Sequence, residues 1–191
     1  MQAPLGYVFW HWPRGGANRR EYERKLLLFQ ESLLSHPPRG LVDAMSFREK
    51  GLPWSNGRSV RYEDWYLVSD FASLGFLNEG AVALANKRTH DEVAAEALGG
   101  SGGLYRQLIG GLRMRQAQHS TWLKKPSRTS YQDFIQGISS SADGQEIDVW
   151  QRQLVLGRAP EFCVHSLRPV GFPKSFGPVA VGLELVKETE R

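Results

Sequence analysis

Hydrophobic positions along the chain alternate between two periods. Residues 7–12 form a short aromatic, β-favouring run that Pro13 stops, which predicts a strand. Residues 14–18 read as loop, with Asn18 placed to cap a helix. Over residues 21–35 the side chains of Leu26, Phe29 and Leu33 recur at helical spacing, so this segment predicts a helix with one face for a sheet. Pro37-Pro38 ends it. Strands are predicted over residues 41–48 and 62–70, separated by a turn-rich stretch at 51–57. The second of them is dense in β-favouring side chains: Tyr62, Trp65, Tyr66 and Val68. Leu74, Leu77, Ala81 and Leu84 then mark a second helix. Thr89-His90-Asp91-Glu92 has the spacing of a capping box, which puts His90 in the exposed first turn of a short helix over 93–98. Gly99-Gly100-Ser101-Gly102-Gly103 reads as a linker, followed by one more helical turn over 104–108.

The order then starts again. Trp10-His11-Trp12-Pro13-Arg14 is a Trp-bearing strand end that leads through a loop to a helix on Tyr22, Leu26, Phe29 and Leu33. Thr121-Trp122-Leu123-Lys124-Lys125-Pro126 leads in the same way through Ser127-Arg128-Thr129-Ser130 to a helix on Tyr131, Phe134, Ile135 and Ile138. Strands follow over 148–156 and 161–167, joined by the Gly157-Arg158-Ala159-Pro160 turn, and a last one over 179–186. No counterpart of the second helix separates the last two. Internal self-similarity decides a fold before any local reading does. Here it predicts an α+β protein of two ferredoxin-like β-α-β-β repeats packed sheet to sheet as an α/β barrel. The expected division is 1–98 for the first repeat with extra helices, 99–118 for a Gly-rich linker region, and 119–191 for the shorter second repeat, all in one compact unit. Two repeats in one chain close a barrel without a partner, and exposed sheet edges leave a homodimer open.

In this repeat and its aromatic-ended first strands the chain resembles the dimeric α/β-barrel superfamily, which includes EthD-like proteins, antibiotic-biosynthesis-type monooxygenases and chlorite-dismutase-like haem proteins. The section Glu63-Asp64-Trp65-Tyr66-Leu67-Val68, followed by Leu77-Asn78-Glu79-Gly80-Ala81, is similar to bacterial proteins of that architecture. The resemblance implies a small apolar or aromatic molecule bound in a barrel pocket. It also implies, as alternatives, cofactor-independent oxygenation or isomerisation of an aromatic substrate, and haem binding. It carries over no catalytic residue and fixes no cofactor.

Composition narrows the partners. Lys+Arg 24 against Asp+Glu 20 gives a net charge of +4, with the charges interspersed as in Arg19-Arg20-Glu21-Tyr22-Glu23-Arg24-Lys25. That is a solvated helix face rather than a phosphate-binding stripe, so no nucleic-acid partner is expected. No apolar run approaches the ~20 residues of a spanning helix, and residues 1–20 lack the pattern of a secretory signal. With Cys163 as the single cysteine, a reducing, cytoplasmic setting is expected.

Candidate chemistry comes from the aromatic set and the histidines. Apolar walls with few polar groups are how small-molecule sites are built. The expected ligand contacts are Trp10, Trp12, Trp65, Tyr66 and Trp122, with Gln151 and Gln153 from a polar row shared with Glu161, Cys163 and His165. Trp10 and Trp12 share one strand face while Tyr7, Phe9 and His11 take the other, and the pattern does not choose which face lines a cavity. His11, beside Arg14, is placed to accept a proton from a phenolic or enolic molecule, and His165 is a further acid-base candidate. His90-Asp91-Glu92 matches half of a zinc-deaminase motif whose cysteine pair this chain cannot supply, so no metal is expected. The glycine run lacks the Gly-Lys-Ser/Thr ending of a phosphate loop.

Overall fold

A computed structural model describes residues 3–50, 60–111, 113–154 and 157–187. The elements run β1 (Leu5–Pro13), α1 (Arg19–Ser35), β2 (Leu41–Lys50), β3 (Arg61–Val68), α2 (Phe71–Ala81), α3 (Leu84–Ala94) and β4 (Ala97–Ile109). They continue with β5 (His119–Leu123), α4 (Tyr131–Ser141), β6 (Ile147–Arg152), β7 (Phe162–Ser166) and β8 (Val179–Leu185). The eight strands close into one antiparallel barrel in the order β1-β3-β2-β8-β5-β7-β6-β4, with β4 returning to β1. Within each half the strands follow the same order: β4-β1-β3-β2 in the first and β8-β5-β7-β6 in the second. Closure leaves these strands no unpaired edge. None of the described helices is long and apolar enough to cross a membrane.

Strand alternation sorts the apolar residues into three layers. Val8, Trp10, Met45, Phe47, Trp65, Tyr105, Trp122, Trp150 and Cys163 point inward and fill the barrel. The indole rings pack on one another there, Trp10 at 5.4 Å from Trp122 and Trp65 at 5.0 Å from Trp150. Outside the first half, Tyr22, Leu26, Phe29 and Leu33 of α1 cover Leu5, Tyr62, Tyr66 and Val68 of the wall. Outside the second half, Phe134 and Ile138 of α4 cover Val149, Phe162 and Val164. Phe134 lies edge-on to Phe162 and to Phe176, with centroids at 4.9 and 4.6 Å, so rings fill that layer. The α1 start forms as its sequence predicts, with the Asn18 side chain accepting from the Glu21 amide.

The structure corrects several expectations. The glycine run and residues 104–108 are strand rather than linker and helical turn: they belong to β4, which pairs with β1 from Pro13↔Ala97 to Leu5↔Arg106. Glycine suits this strand because the bulky side chains of β1 lie across it. The second helix divides, because Asp70 caps α2 by accepting from the Ser73 amide and α3 starts anew at Leu84. Thr89 therefore lies inside α3, where its hydroxyl donates to the Asn86 carbonyl instead of capping. The strand expected over 148–156 ends at Arg152, and Leu154 takes a positive φ. Residues 51–57 and the end of that strand, 155–156, lie outside the described residues.

Candidate functional site between wall and helices

The cavity that gathers polar chemistry lies on the outside of the wall, not within the barrel. On β1, Tyr7, Phe9 and His11 face outward, and on β3 Tyr62, Asp64 and Tyr66 do the same, with Tyr7↔Tyr66, Phe9↔Asp64 and His11↔Tyr62 directly opposed. Above this patch α1 contributes Tyr22, Leu26 and Phe29, α2 contributes Leu77, Asn78 and Ala81, and α3 contributes His90, Val93 and Ala94. Together they enclose about 330 Å³, within the range of small-molecule sites. Aliphatic and aromatic side chains form most of the lining.

The polar groups are linked. The His11 Nδ1 lies 2.7 Å from the Tyr22 hydroxyl, and its Nε2 lies 3.1 Å from the Asp64 Oδ2. Tyr66 donates to the same Asp64 oxygen at 3.1 Å. Phe9 and Tyr62 stack on the imidazole at 5.3 and 5.5 Å, which holds the ring in its plane. Burial first, then the Asp64 charge, raises the Tyr22, Tyr66 and Tyr7 hydroxyls above the usual phenol range. All three therefore stay protonated, and the direction of the Tyr22–His11 hydrogen bond follows the imidazole tautomer: with the proton on Nε2, toward Asp64, Tyr22 donates to Nδ1. Asp64 Oδ1 has no hydrogen-bond partner among the described residues although it is buried. Such a chain can take up a proton at His11 and offer the Tyr22 hydroxyl to a developing oxyanion.

The structure brings only part of the sequence-predicted set together. His11 and Tyr66 line the cavity. Trp10, Trp65 and Trp122 lie in the packed interior, on the other face of the wall. Trp12 is half-buried at the end of β1, against Gly99 of β4. Arg14 is exposed on the following loop. Gln151 points outward and donates to Glu161 at 3.0 Å, and Gln153 bonds to the carbonyls of Gln151 and Arg152. The expected polar row therefore divides: Cys163 and His165 share the interior face at 3.7 Å, while Glu161 and Gln151 lie outside. Sequence reasoning missed Asp64, Tyr22 and Phe29 as cavity residues. A buried acid flanked by Tyr62 and Tyr66 at alternate positions is the signal that could have revealed Asp64.

His165 has different company. Its Nε2 lies 3.7 Å from Glu63, which accepts from the indole N–H groups of Trp10 and Trp65. Burial raises the Glu63 carboxyl, but His165, Glu49 and Trp65 together bring it below the usual range. Glu49, buried beside it, is pushed well up by burial and by the Glu63 charge. Burial and the same charges raise the Cys163 thiol, which keeps it protonated and unreactive. Among the described residues no cluster of three or more His, Cys, Asp and Glu side chains could hold a metal ion.

This arrangement is an α/β protein with an antiparallel barrel and a site between wall and helices. Neither the models of known families nor curated protein sequences match the chain. Solved structures do. A protein of Fusobacterium nucleatum provisionally described as a monooxygenase gives a TM-score of 0.65 at 9% identity, covering 97% of this chain and 94% of that one. A protein provisionally described as a chlorite dismutase gives 0.57 at 13% identity, with 98% and 96% covered. An anthrone oxidase-like protein gives 0.52 at 10% identity, with 97% and 92% covered. At such identities the likeness establishes the fold alone.

Haem, an alternative raised by the sequence, fits this cavity poorly: His11 Nδ1 is bound to Tyr22, Nε2 faces Asp64, and among the described residues no lysine or arginine lines the cavity to meet the propionates.

Proposed function

We propose that the protein binds a planar phenol or enolisable ketone in the wall–helix cavity and removes its acidic proton, as a cofactor-independent monooxygenase of aromatic molecules. The observation that carries this reading is the His11–Asp64 pair on the floor of a mostly apolar cavity, with Tyr22 hydrogen-bonded to His11. A substrate hydroxyl seated at Tyr22 gives its proton to the Tyr22 oxygen as Tyr22 passes its own to His11 Nδ1. The products are a substrate oxyanion and an imidazolium that faces Asp64. Tyr22, now carrying the proton taken from the substrate, donates to the oxyanion and stabilises it. The electron-rich anion then reacts with dioxygen, the co-reactant. With anthrone the balance is one anthrone and one O₂ giving one anthraquinone and one water. Monooxygenase and oxidase-like neighbours of the same fold support the class.

Anthrone and 2-naphthol test this reading. Binding followed by protein fluorescence, with oxygen uptake that Asp64→Asn reduces by roughly 100-fold or more, is the expected result. Binding without uptake would leave a binding protein. Absence of binding at millimolar probe would sink the assignment.

The same strand order in both halves supports reading the chain as two ferredoxin-like repeats within one compact unit, the first extended past residue 98 to the end of β4 at Ile109 and the second over 119–191. A barrel closed by one chain makes a homodimer optional, and the buried, protonated thiol of Cys163 suits a cytoplasmic setting.

A further inference from the structure

Two glycines of β4 stand beneath the side chains that edge the cavity. A Cβ on Gly100 would lie 2.5 Å from the Phe9 ring, and one on Gly102 would lie 2.9 Å from the Tyr7 hydroxyl and 3.2 Å from its ring. Neither glycine has a left-handed backbone, so turn geometry does not explain them. At Gly102 what requires glycine is the close approach of the Tyr7 ring alone, and at Gly100 it is the Phe9 ring together with the Trp10 carbonyl, 2.6 Å from such a Cβ, the two rings lying sideways across β4. The residues directly opposite on β3 are Asp64 for Phe9 and Tyr66 for Tyr7, the polar floor of the cavity. A ring lifted off β4 swings toward that floor, because the neighbouring strand on its other side is β3.

We infer that Gly100 and Gly102 are specificity-determining residues: they seat Phe9 and Tyr7 away from Asp64 and Tyr66 and so keep the cavity wide enough for a fused-ring ligand. This rests on the binding role proposed above. With side chains at these positions the same wall would carry the same polar groups beneath a covered floor, and only a single-ring phenol would reach them.

Gly102→Val tests the inference, since valine suits an exposed strand position and fills the seat of Tyr7. Dissociation constants for 2-naphthol and phenol are measured by fluorescence on the wild type, on Gly102→Val and on Gly102→Val/Tyr7→Ala. Gly182→Val on β8 is the control, because nothing lies within 4 Å of a Cβ there. The expected result is a loss of naphthol affinity of about tenfold or more in Gly102→Val, a smaller loss for phenol, recovery in the double variant, and no change in Gly182→Val. Naphthol binding equal to wild type, or a loss that Tyr7→Ala does not recover, overturns the inference. Nuclear Overhauser contacts between the Tyr7 and Tyr66 rings supply a readout that needs no ligand. Their centroids are 6.1 Å apart in the native chain, and Gly102→Val should bring them closer. If the wild type binds neither probe, the binding role fails, while unchanged ring contacts would separately defeat the seating of Tyr7 on Gly102.

Discussion

Tyr22→Phe removes one oxygen from the centre of the site. Tyr22 is completely buried and His11 is 2% exposed, and the bond between them is 2.7 Å long. Phenylalanine keeps the ring, and hence its packing on Tyr62 at 5.2 Å, so the loss isolates the hydroxyl. His11 Nδ1 is then buried without its partner, which costs about 1–3 kcal/mol. For a chain of this size that corresponds to a fall in Tm of about 2–12 °C. Urea denaturation of the two proteins side by side should show the midpoint falling with an unchanged slope, because no surface is newly exposed. Nitrogen chemical shifts of the imidazole add a second readout: the proposed relay requires one fixed tautomer, with the proton on Nε2, in the wild type, and the variant should lose it. Oxygen uptake with anthrone should fall while binding persists, since the relay is broken and the cavity walls are intact. A stability change below about 0.5 kcal/mol, with the tautomer preserved, would refute the claim that Tyr22 orders His11.

Three further outcomes follow from the geometry. All six tyrosines are raised above the ordinary phenol value of 10.0, chiefly by burial except at Tyr131, where the Glu161 bond leads. The folded chain therefore holds protons that the unfolded chain releases, so stability should fall as pH rises above about 10; absorbance at the phenolate band should grow only as the protein unfolds. Glu49 is also raised, so its contribution is present below the ordinary carboxyl value of 4.5 and is lost as pH rises through its folded value. Glu49→Gln should match the wild type in acid and exceed it in stability at neutral pH, and a difference that does not grow with pH would contradict the buried acid pair. A Cβ on Gly6 would sit 2.7 Å from the Trp65 ring and 3.3 Å from Trp150, so Gly6→Ala should cost about 1–3 kcal/mol in urea denaturation.

Much of the fold was legible because its signals are local. The helical row of Leu26, Phe29 and Leu33, the Asn18 cap and the β-favouring run through Tyr62 and Tyr66 each act within a few residues. β4 was not legible, because the reason for its glycines is the side chains of Tyr7 and Phe9, some ninety positions earlier in sequence. The same distance hid the site. His11 stood out as a polar residue among aromatics, but Asp64 reaches it diagonally across a strand pair whose register no local pattern reveals. Nor could alternation on β1 choose a face, because both are buried: Trp10 against the barrel interior and His11 against α1. A two-sided wall carries two apolar codes at once.

The two halves share a strand order but not a lining. Where the first half holds a cavity beneath three helices, the second has α4 and a stack of Phe134, Phe162 and Phe176. An assembly of two identical subunits with this barrel would carry paired sites related by symmetry and free to communicate. If the cavity of the first half is the binding site proposed above, a titration should saturate at one ligand per barrel with a simple hyperbolic isotherm. The ring-filled half is then a packed abutment beside the half that carries the cavity.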